Sequence, residues 1–297
     1  MRSHREIETE TSGRVSVEYF PPRGLSGERG LMTGAHALRR FSPRFQSITF
    51  GAGGDGAMNS ADWAFQLQQF TEIDTACHVP LARFEQAELF DFCENLVESG
   101  IVRIVLIRGD AGEGLSGFAS VADAARVLKR RFSFDISVSA YPETHPKAAS
   151  AQADLDALKA KQDAGCDRAI TQFFFDNAVF YRFAERARAA GITFELVPGI
   201  MPIANFSKVE RFAEQCGTHI PESIRKQFAA LSDDRSTHSD LARSIVQDQV
   251  RELAKNEVSA IHIYGLNRVD LTADTIRAFQ AASPLIEEPV PLRAIAS

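Results

Sequence analysis

No run of about 18 apolar residues occurs in this 297-residue chain, so a membrane-spanning helix is excluded. Positive charge is in deficit. A net charge of −6 argues against a nucleic-acid binder, which should carry a basic face. The first residues, MRSHREIETETSGR, have no apolar core and cannot act as a secretory signal. Cysteine is scarce and scattered: Cys77, Cys93, Cys166 and Cys216 form no CxxC pair. Without an export signal, reduced thiols in the cytoplasm are expected, with Cys93, Cys166 and Cys216 in apolar helix patterns that read as core. No linker-like stretch divides the chain. What is present is 44% apolar residues, enough for a substantial core. The length fits two average domains or a single α/β barrel of roughly 250 residues.

The hydrophobic pattern alternates between strand and helix signals. Val15, Val17 and Tyr19 lie on one face of a first strand, with Ser16, Glu18 and Phe20 on the other, and Pro21-Pro22 ends it. Further strands are predicted over 45–50, 74–79, 103–108, 135–141, 168–175, 193–200 and 260–266. Helices are predicted over 26–40, from a cap at Asn59 or Ser60, over the run with Leu89, Phe92, Cys93, Leu96 and Val97, and over 119–131. Later helices start from Ser150, Asp176 and Asn205 as caps, with Val209, Phe212 and Cys216 inward in the last of these. A helix over 237–256 and one from Ala273 complete the set. Eight alternating strand–helix units predict a (β/α)8 TIM barrel, class α/β, as a single domain over 15–282. Residues 1–14 are expected to be frayed and 283–297 to form a surface tail.

In such barrels the chemistry gathers at the C-terminal strand ends. Those ends carry Glu18, Thr49, His78, Asp110, Tyr141, Gln172 and Tyr264. A lone Glu beside a strand stop is more often solvated than functional, and the recurrence of polar residues at the other ends shifts that balance. Gly51-Ala52-Gly53-Gly54-Asp55-Gly56 spells GxGxxG, so a dinucleotide-binding domain is an alternative. Caps beyond the glycines, Asp74 at the start of its strand and the eight-unit count argue against it. His78 beside Cys77 has no third ligand nearby in sequence, so no metal site is expected.

Six segments occur in one order: Val17-Glu18-Tyr19-Phe20-Pro21-Pro22, Arg108-Gly109-Asp110, Tyr141-Pro142-Glu143-Thr144-His145-Pro146, Ile170-Thr171-Gln172-Phe173-Phe174-Phe175-Asp176, Pro198-Gly199-Ile200-Met201-Pro202 and Leu266-Asn267-Arg268. Together they resemble the bacterial, single-domain type of the methylenetetrahydrofolate reductase family, from about Val15 to Phe279. The resemblance implies an FAD enzyme on a (β/α)8 barrel. NADH or NADPH reduces the flavin and leaves, and methylenetetrahydrofolate then takes the hydride; the reverse direction is conceivable in a demethylation pathway. Glu18 matches the family's acid, which protonates the leaving nitrogen as a carboxylic acid held neutral by burial. Asp110 matches the flavin-neighbouring aspartate. Gln172, Tyr264, Arg268 and Phe212 match positions at the folate and the nicotinamide. Thr49, Phe50, Ala52, His78, Arg108, Gly109, Asp110, Ala119, Tyr141, His145, Ala148, Asp154 and Lys161 match FAD-binding positions. Phe50 and Ala160 depart from a Tyr and a basic residue found in relatives. A homo-oligomer is expected. A related flavin barrel such as a proline dehydrogenase, and a non-catalytic folate or flavin binding protein, are the alternative readings.

Overall fold

The computed structural model describes residues 13–50, 57–109, 115–231 and 235–283. Asp110, Ala52 with the rest of its glycine-rich loop, and most of both expected tails lie outside these residues. Among the described residues eight strands are present: Val15–Tyr19 (β1), Phe45–Ile48 (β2), Thr75–Pro80 (β3), Arg103–Ile107 (β4), Asp135–Ala140 (β5), Arg168–Phe173 (β6), Glu195–Ile200 (β7) and Ile261–Tyr264 (β8). They close in sequence order into a parallel barrel, with β1 paired to both β2 and β8. A closed ring has no strand-order reversal, which removes the dinucleotide-binding alternative.

The helices are Gly24–Leu38 (α1), Ala57–Thr71 (α2), Gln86–Glu98 (α3), Val121–Arg131 (α4), Ala151–Asp163 (α5), Asn177–Ala189 (α6), Phe206–Cys216 (α7), Glu222–Ala229 (α8), Arg235–Lys255 (α9) and Val269–Ala282 (α10). Ser150, Asp176 and Asn205 cap α5, α6 and α7 by accepting the backbone N–H of Ala153, Ala178 and Lys208. Asn59 and Ser60 are not caps, because α2 already includes Ala57. The Ser60 hydroxyl instead donates to the Thr49 carbonyl at 3.3 Å. Helix α8 was not anticipated; Pro221 precedes it, and Ile224 and Phe228, one turn apart, are its buried residues. The expected inward positions Val97 and Phe212 are exposed. Arg14, expected to be frayed, is tied down by donating to the carbonyls of Ser259 (2.7 Å) and Val258 (2.9 Å).

Period-two alternation divides every strand between two environments. Val15, Val17 and Tyr19 join the apolar layer between barrel and helices, whereas Ser16 and Glu18 meet the inward residues His262 and His78. Cys77, Cys93 and Cys166 are buried free thiols and Cys216 is half-buried. Inside the barrel, Phe45, Ala76, Val105, Ile170, Val197 and Ala260 form a small apolar plug.

The N-terminal end of the barrel is closed by charge. Asp135 accepts hydrogen bonds from both Arg103 and Arg168, the latter also through Nη2 to Oδ2 at 2.9 Å. Arg103 further reaches Asp74 (3.1 Å), and Arg44 pairs with Glu195 (2.7 Å). Both buried guanidinium groups lie over the Phe45 ring, at 5.7 and 5.8 Å from its centroid. Burial pushes the Asp135 carboxyl up, but the two arginines overcome it and hold the group below its usual range. Removing one partner of a buried pair strands the other charges. Asp135→Ala is therefore expected to cost about 3–5 kcal/mol in urea unfolding. Arg126→Ala, which breaks an exposed pair with Asp123, should cost less than about 1 kcal/mol.

Candidate active site

The opposite end of the barrel holds a second buried carboxylate in a different setting. Glu18 is the next-to-last residue of β1 and only 8% exposed. His78 Nε2 lies 3.2 Å from its Oε2, a close polar contact. His262 Nε2 lies 3.7 Å from the same oxygen, and its Nδ1 is 2.7 Å from the Ser16 hydroxyl. Burial pushes the Glu18 carboxyl up, but the imidazoles of His262 and His78 outweigh it and bring the group from its ordinary 4.5 down to about 2. The expectation of a carboxylic acid kept neutral by burial is thus corrected for this state of the mouth. Glu18 is ionised there because two imidazoles face it.

His262 and Ser16 were not singled out from the sequence. The signal was available: each stands two residues before a residue that was, Tyr264 and Glu18, and so shares its inward face.

Tyr264 neighbours Glu18 in register, and its hydroxyl donates to the Thr171 carbonyl on β6 at 2.7 Å. The ring crosses β7 at Gly199, where a Cβ would lie 2.5 Å from Tyr264 Cε2 and 2.1 Å from Thr171 O. No side chain fits there. Gln172 is half-buried and accepts the Phe173 backbone N–H at 3.0 Å. Phe212 stacks on Phe173 at 5.4 Å and stands 41% exposed over the mouth. A groove bounded by Tyr141, Glu143, Gln172, Phe173, Cys216 and Thr218 runs between these elements. Arg268 is exposed immediately before α10 and makes no ion pair among the described residues.

The positions matched to a cofactor form a second group across β4 and β5. Arg108 and Gly109 follow β4. Tyr141 packs edge-on against His145 at 4.4 Å. The backbone N–H of His145 donates to Asp154 Oδ2 at 2.9 Å, and the backbone N–H of Ala148 donates to the His145 carbonyl at 2.8 Å. Lys161, two turns after Asp154 on α5, donates to the Ser139 carbonyl at 2.8 Å. Burial lowers the His145 and Lys161 pKa values. Around His145 the cations Lys161, Lys147 and Arg108 oppose its charge while Asp154 alone favours it. That excess of positive charge suits a diphosphate.

Some matched positions are less available. Phe50 commits its ring to Phe84 (5.6 Å) and Phe92 (6.3 Å), away from the mouth. Thr49 uses its N–H on the Tyr19 carbonyl at 2.9 Å. Ala119 is an exposed residue just before Ser120, which caps α4.

The family model described as methylenetetrahydrofolate reductase matches residues 2–280. The chain belongs to the methylenetetrahydrofolate reductase family. It is 39% identical over 266 residues to the 5,10-methylenetetrahydrofolate reductase of Pectobacterium carotovorum, covering 89% of each chain. It is 38% identical over 260 residues to that of Escherichia coli K12, covering 87% of this chain and 88% of the relative. Among solved structures it is similar to an uncharacterised Clostridium thermocellum protein that binds two copies of 5-methyl-5,6,7,8-tetrahydrofolic acid. That match has a TM-score of 0.63 at 14% identity, covering 94% of this chain and 98% of that one. This last likeness shows the fold. Family membership leaves the proline dehydrogenase alternative without support.

The depressed pKa of Glu18 has a consequence for stability. A carboxylate lower in the folded than in the unfolded chain stabilises the fold above about pH 4.5, and that contribution is lost as pH falls towards 2. The stability difference between the wild type and Glu18→Gln should therefore shrink between pH 6 and pH 3.5 in urea titrations. A constant difference would mean that the imidazoles do not hold the charge.

Proposed function

We propose that the chain is an FAD-dependent methylenetetrahydrofolate reductase, in which NADH or NADPH and methylenetetrahydrofolate use one mouth in turn. The observation that carries this reading is the placement of Glu18, buried and charge-coupled, in register with Tyr264 and at the same barrel end as Gln172 and Phe212. When bound, the flavin supplies hydride acceptance and donation. Arg108, Lys161 and His145 would hold its diphosphate. Tyr141, Gly109 and His78 would line its path, with Phe50, Ala119 and Ala148 beside it; Thr49, whose backbone N–H and carbonyl are bonded to Tyr19 and Ser60, would contribute its side chain. Ala52 and Asp110 join this set by resemblance, with Asp110 as the negative charge beside the flavin.

The protein's own contribution is binding, orientation and a proton. Phe212 offers an exposed aromatic face to the flat rings of either ligand. Gln172 has both a donor and an acceptor, which suits a site that receives two different ligands in succession. Arg268 would pair with the carboxylates of the folate tail.

Opening the five-membered ring of the folate requires protonation of its leaving nitrogen, and Glu18 is the group we assign to it. With the imidazoles in contact, the carboxyl is ionised. A pteridine ring seated against Glu18 would weaken those contacts and exclude water. Burial is the largest single influence on this group, so once unopposed it raises the carboxyl towards a useful acid. Glu18 takes its proton from solvent as the ring seats, before water is excluded, and passes it to the folate nitrogen; the carboxyl is ionised again once the mouth empties.

The test is anaerobic. NADH or NADPH should bleach the yellow FAD-loaded protein, and methylenetetrahydrofolate should restore the colour. A protein that binds folate but cannot be reconstituted with FAD is a non-catalytic binder, and the proposal fails. Glu18→Gln should keep the colour and most of the bleaching rate while slowing folate-driven reoxidation by roughly 10²–10⁴-fold. Equal loss of both half-reactions would make Glu18 structural. Gln172→Glu should harm the folate half-reaction more than flavin binding, seen in stopped flow.

A further inference from the structure

The turn that leaves β8 is held in an unfavourable conformation. Leu266 (φ 48°) and Asn267 (φ 55°) are consecutive left-handed residues, closed by the Arg268 N–H donating to the Gly265 carbonyl at 2.7 Å. This is the pattern of a type I′ turn, whose two central positions favour Asn and Gly; a branched Leu at the first is strained. Such strain persists only where the surroundings over-determine it, and it tends to gather at functional sites.

The surroundings here are specific. The Phe20 N–H donates to Asn267 Oδ1 at 3.0 Å, and Asn267 Nδ2 donates to the Phe20 carbonyl at 3.1 Å. One amide thereby satisfies both backbone groups of the first residue past β1. The β1–β8 ladder pairs Glu18 with Tyr264, and the amide extends that seam past the end of both strands. Beneath the turn, Gly265 is packed so closely that a Cβ would stand 3.0 Å from Thr272 Oγ1 and 3.2 Å from the Glu18 carbonyl. Beyond it, the Arg268 carbonyl accepts from both Thr272 N (3.0 Å) and Thr272 Oγ1 (2.8 Å). The backbone of Arg268 is fixed on both sides while its guanidinium is exposed and without an ion pair among the described residues.

We propose that Asn267 is a positioning residue for substrate: its amide clamps the strained turn to the end of β1 so that Arg268, its backbone already ordered, is presented to the carboxylates of a folate tail. The strain is the cost of a turn tight enough to return the chain at the barrel seam, and the clamp prevents its relaxation. With the Arg268 backbone already placed, only side-chain freedom is lost on pairing with a carboxylate, so the clamp acts on affinity. Asn267 touches no substrate in this scheme and acts through its neighbour.

The inference rests on the folate reading above, and the experiment separates the two. Binding of 5-methyltetrahydrofolate to the FAD-loaded protein is measured by calorimetry for wild type, Asn267→Gly, Arg268→Ala and the double variant, with urea midpoints alongside. Glycine is well suited to this turn position, so Asn267→Gly removes the clamp without endangering the fold. It should weaken binding about tenfold, and the double variant should bind within about twofold of Arg268→Ala alone, the non-additivity expected of two residues acting as one unit. Unchanged binding with a lowered urea midpoint would overturn the proposal and leave a structural clamp. Additive losses would overturn it as well, because Asn267 would then not act through Arg268. A wild type that binds no folate would remove the functional reading itself, and the inference with it.

Discussion

Two buried carboxylates at opposite ends of one barrel govern its behaviour, and the one at the closed end comes first. Asp135 sits between Arg103 and Arg168 with Phe45 beneath both guanidinium groups. Desolvating three charges is costly, and only the hydrogen bonds among them offset that cost. The cluster joins residues at the starts of β2, β4, β5 and β6, so it fixes the relative register of half the ring. Shifting one of these strands by one residue would carry its member of the cluster out of the barrel into an apolar layer.

Glu18 at the open end has no such complement. Its partners are two imidazoles at 3.2 and 3.7 Å, neither a fixed cation. Asp135 is therefore held ionised by two arginines, whereas Glu18 faces only imidazoles. The same residue class, buried to a similar degree, meets permanent cations at one end and imidazoles at the other, where we assign it the proton transfer. The difference lies in the number and permanence of the opposing charges.

Much of this was legible in the sequence, for a physical reason. Strand and helix periods are local properties, and eight alternations of them have few compact solutions, so the barrel followed from counting. Caps with short polar side chains at Ser150, Asp176 and Asn205 were readable because they act within three residues. What could not be read was contact at a distance. His262 reaches Glu18 across 244 positions of sequence, and nothing near either residue announces the other. The ionised state of Glu18 follows from that contact, so it was illegible for the same reason. Phe212 shows the converse error: its spacing is that of a core residue, yet α7 turns it outward onto Phe173.

Gly199 shapes the mouth by what it does not carry. Tyr264 fills the volume of the missing side chain and reaches across β7 to the Thr171 carbonyl on β6. Its register partner is Glu18 on β1, which lies on the opposite side of β8. The ring thus leans from β8 towards β6, on the side away from β1. Even a methyl group at position 199 would collide with both the aromatic ring and the β6 carbonyl it bonds, so the place of Tyr264 beside Glu18 depends on a hydrogen atom two strands away from that carboxylate.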